Sequence, residues 1–428
     1  MDYIKRIADD ELDFRLECSG AVLIEGPKWC GKTTTAGQHS KSIIKFQDTD
    51  KRESYRQTAS IKPSLLLNGD NPRLIDEWQE IPVIWDSVRN SVDERNETGL
   101  YILTGSNTIG KENIMHSGTG RISRMKMDTM SLYETGESNG KISLAGLFKN
   151  PEMEIEAKSD LQIEQLIFAA CRGGWPGQLI RKTDRAKLQI ARDYVTSVCN
   201  IDISTIDKIR RNPLWAEQIM RSYSRNISTL AKTSNILKDV VSASENISDE
   251  TLNSYISALE KLYVIQDIDA WCPSIRSATA IRSGKKRGVC DPSIAVASLG
   301  LNPEYYYTDF QSFGFIFESL CMRDLRVYSA KEEGHLSYYH DRYDLEADCV
   351  LHLKDGRYAL IEFKLGGKEI EEGCGHLLEI KSLVKKYNQT EKGPKLREPD
   401  LLMVITGTEM AYRRNDGVYV IPIGCLKD

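Results

Sequence analysis

The stretch Gly26-Pro27-Lys28-Trp29-Cys30-Gly31-Lys32-Thr33 has the spacing G-x-x-x-x-G-K-[ST] and follows directly on the apolar run Ala21-Val22-Leu23-Ile24. Its glycines let the backbone curl so that successive N–H groups point at one β-phosphate, and a helix beginning there turns its positive end on the same group. Nucleotide phosphate binding is the chemistry this pattern serves. Lys32 would reach the β- and γ-phosphate oxygens of ATP, the Thr33 hydroxyl would ligate Mg2+, and Thr34 would lie just inside the helix. The competing reading is a glycine-rich turn that caps a helix and binds nothing, which leaves the Gly-Lys-Thr triplet unexplained.

A second strand end should bring an acid to the ion's water shell. Arg73-Leu74-Ile75-Asp76-Glu77 offers two. Asp76 would hold the ion, and Glu77 would orient or deprotonate the attacking water. The alternative is a helix start in which Asp76 or Glu77 caps the apolar positions Ile81, Ile84, Trp85, Val88 and Val92. A third run, Leu100-Tyr101-Ile102-Leu103-Thr104, ends in Gly105-Ser106-Asn107. Ligands of open α/β sheets sit beyond the carboxyl ends of the strands, so Ser106 and Asn107 are candidates to sense a γ-phosphate; a plain turn explains them equally.

A second constellation lies near the other end of the chain. Ala347–Leu353 and Tyr358–Lys364 read as two strands of a hairpin turning at Lys354-Asp355-Gly356-Arg357, because Asp-Gly between apolar runs is a strong turn signal. Glu362 and Lys364 share a face by the period-two rule. A two-residue turn would send Asp348 to the other face, whereas a three-residue loop or a bulge would bring it opposite Lys364 and close a site. Asp followed after a hairpin by Glu-x-Lys resembles the site of the PD-(D/E)xK nucleases, and Glu318, in FGFIFESLCMRDL, matches a further acid that many of them carry. The resemblance implies that Glu318, Asp348 and Glu362 hold Mg2+ while Lys364 orients a water or neutralises charge on a scissile phosphate. The opposite expectation is a remnant fold whose charges form a structural ion pair.

These residues need scaffolds. At 428 residues the chain exceeds what one core supports, so two or three domains are expected. A net charge of −5 gives no global field, and any contact with DNA must come from a local patch. Arg276, Arg282, Lys285, Lys286 and Arg287 form the densest basic stretch, read either as a solvated loop or as a clamp on DNA phosphates. Ten cysteines without a CxxC pair or a Cys/His cluster read as reduced residues of a cytoplasmic protein. The charged first residues do not resemble a signal peptide, and no run approaches the ~20 apolar residues of a membrane span. From Leu214 to Trp271 the spacing predicts three helices and a strand, with Leu252, Tyr255, Ile256, Leu259 and Leu262 along one helical face. Asp249, Glu250 and Glu260 make that last helix a poor fit to a phosphate-lined groove.

Taken together, GPKWCGKTTTA, LIDEWQ, YILTGSN, Gly120-Arg121 before SLYE, Gly173-Gly174-Trp175-Pro176, FGFIFESL and EADCVLHLKDGRYALIEFKLG resemble a family of prokaryotic AAA-type ATPases that carry a C-terminal domain of unknown function. The resemblance covers nearly the whole chain. It implies an α/β fold: a P-loop ATPase sheet with a helical lid over residues 1–205, a winged-helix-like segment over 206–275, and a restriction-endonuclease-like domain over 276–428. It also implies ATP and Mg2+ as cofactors. Arg121 and Arg124 are then candidates to reach a γ-phosphate, often that of a neighbouring subunit, in which case the protein must oligomerise. Surface arginines on a strand are the plainer reading. Three functions follow as expectations: an ATPase coupled to a nuclease-like domain acting on DNA, a nucleotide-dependent switch or scaffold binding a protein partner, and a small-molecule kinase. The long chain beyond the phosphate loop argues against the last.

Overall fold

The computed structural model describes residues 3–105, 116–207, 209–243, 247–273, 284–390 and 395–428. Five strands build the first sheet: β1 (Ala21–Glu25), β2 (Ser42–Lys45), β3 (Arg73–Asp76), β4 (Tyr101–Gly105) and β5 (Ile122–Lys126). Their order is β2-β3-β4-β1-β5, and every pairing is parallel. A parallel sheet is covered on both faces at its centre, which is why β1 and β4 read as unbroken apolar runs, whereas the edge strands β2 and β5 carry exposed polar residues. Leu23, Ile75 and Leu103 pack on one side with Trp85 and Val88 of the helix Ile84–Arg95, while Val22, Ile24 and Ile102 pack on the other with Leu12 of the helix Ile7–Cys18. The parallel register brings the carboxyl ends of β1, β3 and β4 side by side at one edge.

The second sheet has eight strands in the order β7-β13-β14-β12-β11-β10-β9-β8. These are β7 (Glu156–Lys158), β8 (Asp269–Ala270), β9 (His335–His340), β10 (Glu346–His352), β11 (Tyr358–Lys364), β12 (Leu401–Thr406), β13 (Met410–Arg413) and β14 (Tyr419–Pro422). Residues of its central strands alternate between two cores. Cys349, Leu351, Ile361 and Met403 join the core that holds Phe313, Phe317 and Leu320 of the helix Phe310–Tyr328. Val350, Leu360 and Val404 join the core that holds Cys374, Leu377 and Ile380 of the helix Ile370–Thr390. A further pair, β6 (Ile142–Ser143) with β15 (Leu426–Lys427), is parallel.

Two strands thus come from a part of the chain expected to belong to the ATPase unit. β6 and β7 precede residue 205, yet both pair with strands beyond residue 409. One apolar core runs from Leu132 to Leu426, so a boundary at 205 coincides with no break in packing. The middle segment supplies the helices Pro213–Arg225, Thr233–Ala243 and Asp249–Lys261, and Leu252, Tyr255, Ile256, Leu259 and Leu262 are buried as their spacing requires.

The two sheets meet at a buried polar junction. Asp291 accepts hydrogen bonds from the Thr129 hydroxyl (2.7 Å), the Gly174 N–H (2.9 Å) and Arg323 (3.1 Å). Arg323 also pairs with Asp324 (2.6 Å), whose other oxygen takes the Leu132 N–H (3.1 Å). Trp175 Nε1 donates to the Ser293 hydroxyl at 2.9 Å. The Gly-Gly-Trp-Pro motif gains a structural meaning here: a Cβ on Gly174 would fall 2.0 Å from the Met130 carbonyl oxygen, so the close approach requires glycine.

Candidate functional site

β1 delivers the chain into the phosphate loop, and the helix Lys32–Gln38 leaves it. Gly26 and Gly31 take φ of +151° and +105°, and a Cβ on Gly26 would lie 2.1 Å from the Met127 carbonyl oxygen. The loop therefore requires both glycines. Trp29 itself adopts a left-handed φ of 64°, and its ring lies 6.3 Å from that of Tyr194. The buried Lys32 ammonium folds back over the loop, donating to the carbonyls of Gly26 (2.9 Å) and Pro27 (2.7 Å). The loop is braced from outside. Arg6 donates to the Cys30 carbonyl (2.9 Å) and pairs with Glu134 (2.9 Å), and Lys28 pairs with Asp202 at 2.7 Å.

Asp76, at the end of β3, accepts from the Thr33 hydroxyl at 2.7 Å and from the buried Thr104 hydroxyl at 2.6 Å. Three elements thus converge on one carboxylate. Glu77, the next residue, has φ of 54°, donates its N–H to Thr104 Oγ1 (3.3 Å), and accepts from Gln79 Nε2 through its carboxylate. Thr33 and Asp76 together form the hydroxyl–carboxylate pair that suits Mg2+. Glu77 stands at the N-cap position of the short 3-10 turn Trp78–Glu80 without a side-chain cap bond, and the longer helix begins only at Ile84 with Val83 as its N-cap. Ser106 and Asn107 lie outside the described residues. Thr104, two positions earlier, is the residue that sequence reasoning passed over; its signal was a hydroxyl ending an otherwise apolar run. Beside Gly31 and Thr34 opens a cavity of about 290 Å³, lined also by Tyr3, Gln38, Met130, Pro176 and Leu179.

Arg121 is misplaced for the site of its own chain. The register Ala21↔Ile122 sets it at the amino end of β5, and the phosphate loop follows the carboxyl end of β1, six residues and about 20 Å away at ~3.3 Å per residue. It pairs there with Asp93 at 2.6 Å. Arg124 pairs with Glu25 (2.9 Å) and lies over the Trp85 ring.

At the C-terminal hairpin, Leu353 N–H donates to the Arg357 carbonyl, so the loop has three residues, Lys354-Asp355-Gly356, with Gly356 at φ +87°. The pairs run Cys349↔Ile361 to His352↔Tyr358. Continuing that register sets Asp348 opposite Glu362, not opposite Lys364 as expected, because the third loop residue is Lys354 on the β10 side and not Arg357 on the β11 side, which moves the pairing one step in the other direction. The pairing of β10 with β9 also slips between Ala347 and Val350, a bulge that spans Asp348 and Cys349.

The expected charges are near one another but sorted into two ion-pair groups. One oxygen of Asp348 accepts the Phe363 N–H at 2.9 Å, and the other lies 3.5 Å from Lys286 Nζ. Lys286 Nζ is 2.8 Å from Glu318. Glu362, 1% exposed, pairs with Lys364 at 3.1 Å and lies 3.6 Å from His376 Nδ1, beneath the helix Ile370–Thr390 at Gly373. Burial pushes the Glu362 carboxyl up to about 9, reinforced by the Asp348 charge and opposed by Lys364. Burial likewise lifts Glu318 to about 8, against the pull of Lys286. For Lys286 burial acts downward, but the carboxylates of Glu318 and Asp348 outweigh it and hold the ammonium above its ordinary range. Glu318 and Asp348 meet at Lys286 while Glu362 is paired apart with Lys364, and among the described residues no group of three His, Cys, Asp or Glu side chains stands arranged around one ion position.

The basic stretch is divided in the fold. Lys286 and Arg287 are buried, and Arg287 pairs with Asp267 at 2.8 Å. Lys285 lies 3.5 Å from Asp269, and Arg276 and Arg282 fall outside the described residues. Lys286 and Arg287 are therefore committed to carboxylates inside the fold, whereas Lys285 stays half-exposed. No helix among the described residues is long and apolar enough to cross a membrane.

No curated protein matches the sequence. Residues 163–305 and 313–426 match two domains of unknown function, DUF8612 and DUF4143. Among solved structures the chain is similar to the Walker-type ATPase Paby2304 of Pyrococcus abyssi, at 13% identity and a TM-score of 0.43, over 69% of this chain and 96% of that one. That likeness is too distant to add to the geometry. Residues 19–136 match the model of an AAA domain, which makes this part of the chain similar to AAA-type P-loop ATPase domains.

Proposed function

We propose that the protein hydrolyses ATP and passes its nucleotide state to the C-terminal domain. The observation that carries this reading is the Asp76 carboxylate, held by hydroxyls from the phosphate-loop helix and from β4. Backbone N–H groups of residues 26–34 would cradle the phosphates, and Lys32 would exchange its two loop carbonyls for β- and γ-phosphate oxygens. Mg2+ held by Thr33 and Asp76 would supply charge neutralisation on the phosphates. Glu77 would orient the attacking water, and the cavity beside Gly31 and Thr34 would take the base. Lys28–Asp202 and Trp29–Tyr194 are the contacts by which loop occupancy would reach the helices that follow. Arg121, at the far edge of the sheet, would serve only a neighbouring subunit, which makes a homo-oligomer the corollary of any such role. The test is phosphate release from ATP by the full chain, which should vanish in Lys32→Ala; hydrolysis unchanged in that variant would sink the assignment.

For the C-terminal domain we favour the switch or scaffold reading over the nuclease, because Lys286 sits between Glu318 and Asp348. Magnesium-dependent nicking of DNA that is lost in both Asp348→Ala and Lys364→Ala would reverse that preference.

A further inference from the structure

Lys286 does not occupy its position by chance of a flexible side chain. Its backbone N–H and carbonyl both bond to Ile268 at 2.9 Å, an antiparallel bridge that fixes the residue's orientation. Its Nζ lies 6.0 Å from the Tyr338 ring and is 2.8 Å from Glu318 and 3.5 Å from Asp348. The second oxygen of Asp348 is committed to the Phe363 N–H. A divalent ion would need those same carboxylate oxygens at about 2.0–2.1 Å. An ammonium bonded to them and a divalent cation bound by them exclude each other, since both would sit in one buried, low-dielectric space.

We infer that Lys286 is a built-in cation that stands where a metal would be needed, so that the acids Glu318 and Asp348 share one permanent ammonium and a latent divalent-cation site is exposed only when that lysine is removed. The inference rests on the non-cleaving reading of the C-terminal domain, but its test reads ion binding and neither DNA cleavage nor ATP turnover. The arrangement gives the domain a fixed strut between the Ile268–Lys286 bridge, the helix Phe310–Tyr328 and β10, in place of a site that loads and releases an ion.

The experiment is Mn2+ binding to the full-length, nucleotide-free protein, followed by electron paramagnetic resonance. Wild type and Asp348→Asn should bind the same amount. Lys286→Met should take up one additional Mn2+ per chain, and that ion should be lost again in Lys286→Met/Asp348→Asn. Folding of each variant is checked by circular dichroism, and Lys286→Gln, which keeps a polar group in place, serves if the methionine variant does not fold. A wild-type ion lost on Asp348→Asn would overturn the inference, as would a folded Lys286→Met or Lys286→Gln that gains none. The comparison of wild type with Asp348→Asn decides by itself if neither lysine variant folds. A failed ATPase assay would leave the result untouched.

Discussion

Thr104 is the side chain that most changes the account of chemistry at single residues. It bonds Asp76 with its hydroxyl and the Glu77 N–H with its oxygen, so it ties down both acids at once. Thr104→Val removes those bonds at nearly constant shape. A hydrogen bond to a charged group contributes about 1.5–3 kcal/mol, so turnover should fall roughly ten- to a hundredfold, with ATP affinity little changed. Comparing kcat with nucleotide Kd checks this, and a matching loss of affinity would show a phosphate-binding role instead. Glu77→Gln should likewise retain ATP but slow hydrolysis about 10²–10⁴-fold, the range for removing a general base. Loss of binding with turnover preserved would reverse the roles of the acidic pair. The glycines, Lys32, Thr33 and Asp76 were legible because phosphate chemistry fixes their types and spacing. Thr104 and Lys286 were not, because each acts through a partner far away in sequence: 28 residues to Asp76 for the first, and 32 and 62 residues to Glu318 and Asp348 for the second.

Among the elements, the hairpin β10–β11 shows how far pattern reading extends. Period-two alternation and the Asp-Gly signal located both strands, and parity put Asp348 level with Glu362 and Lys364 once the loop had three residues. The bulge and the covering helix were invisible, since neither leaves a mark in alternation. Their consequence is a buried carboxyl, Glu362, whose folded value near 9 exceeds the ordinary 4.5. The folded chain then holds a proton that the unfolded chain releases between those values. This contribution to stability is complete below about pH 4.5 and is lost as pH rises toward 9. Glu362→Gln, isosteric with the neutral acid, should keep the low-pH stability and flatten that part of the decline, as read from urea midpoints at pH 6 and pH 9; an unchanged slope would refute it. The Gly173–Pro176 turn permits a second check. Gly174→Ala forces a methyl against the Met130 carbonyl and should cost about 1–3 kcal/mol in chemical denaturation.

For the molecule as a whole, the sequence divided naturally at the end of the phosphate-loop region, and the packing does not. A fragment ending at residue 205 would retain β6 and β7 without β15 and β13, and would expose Leu147, Leu166, Ile167 and Trp175, all of which are buried in the full chain. It should bind hydrophobic dyes and aggregate where the full chain does not; a monodisperse, dye-silent fragment would show that the shared core is dispensable. Composition could not reveal this, because strand exchange between distant segments leaves each segment looking like an ordinary domain. The same exchange sets a timetable for synthesis. Lys158 pairs with Met410, 252 residues later (410 − 158), and at elongation rates of about 5–20 residues per second β7 waits ~13–50 s for its partner to be made. Throughout that interval β7 has no strand to pair with and the apolar core it borders lacks its later residues, an exposure of the nascent chain that no inspection of the finished fold's surface would disclose.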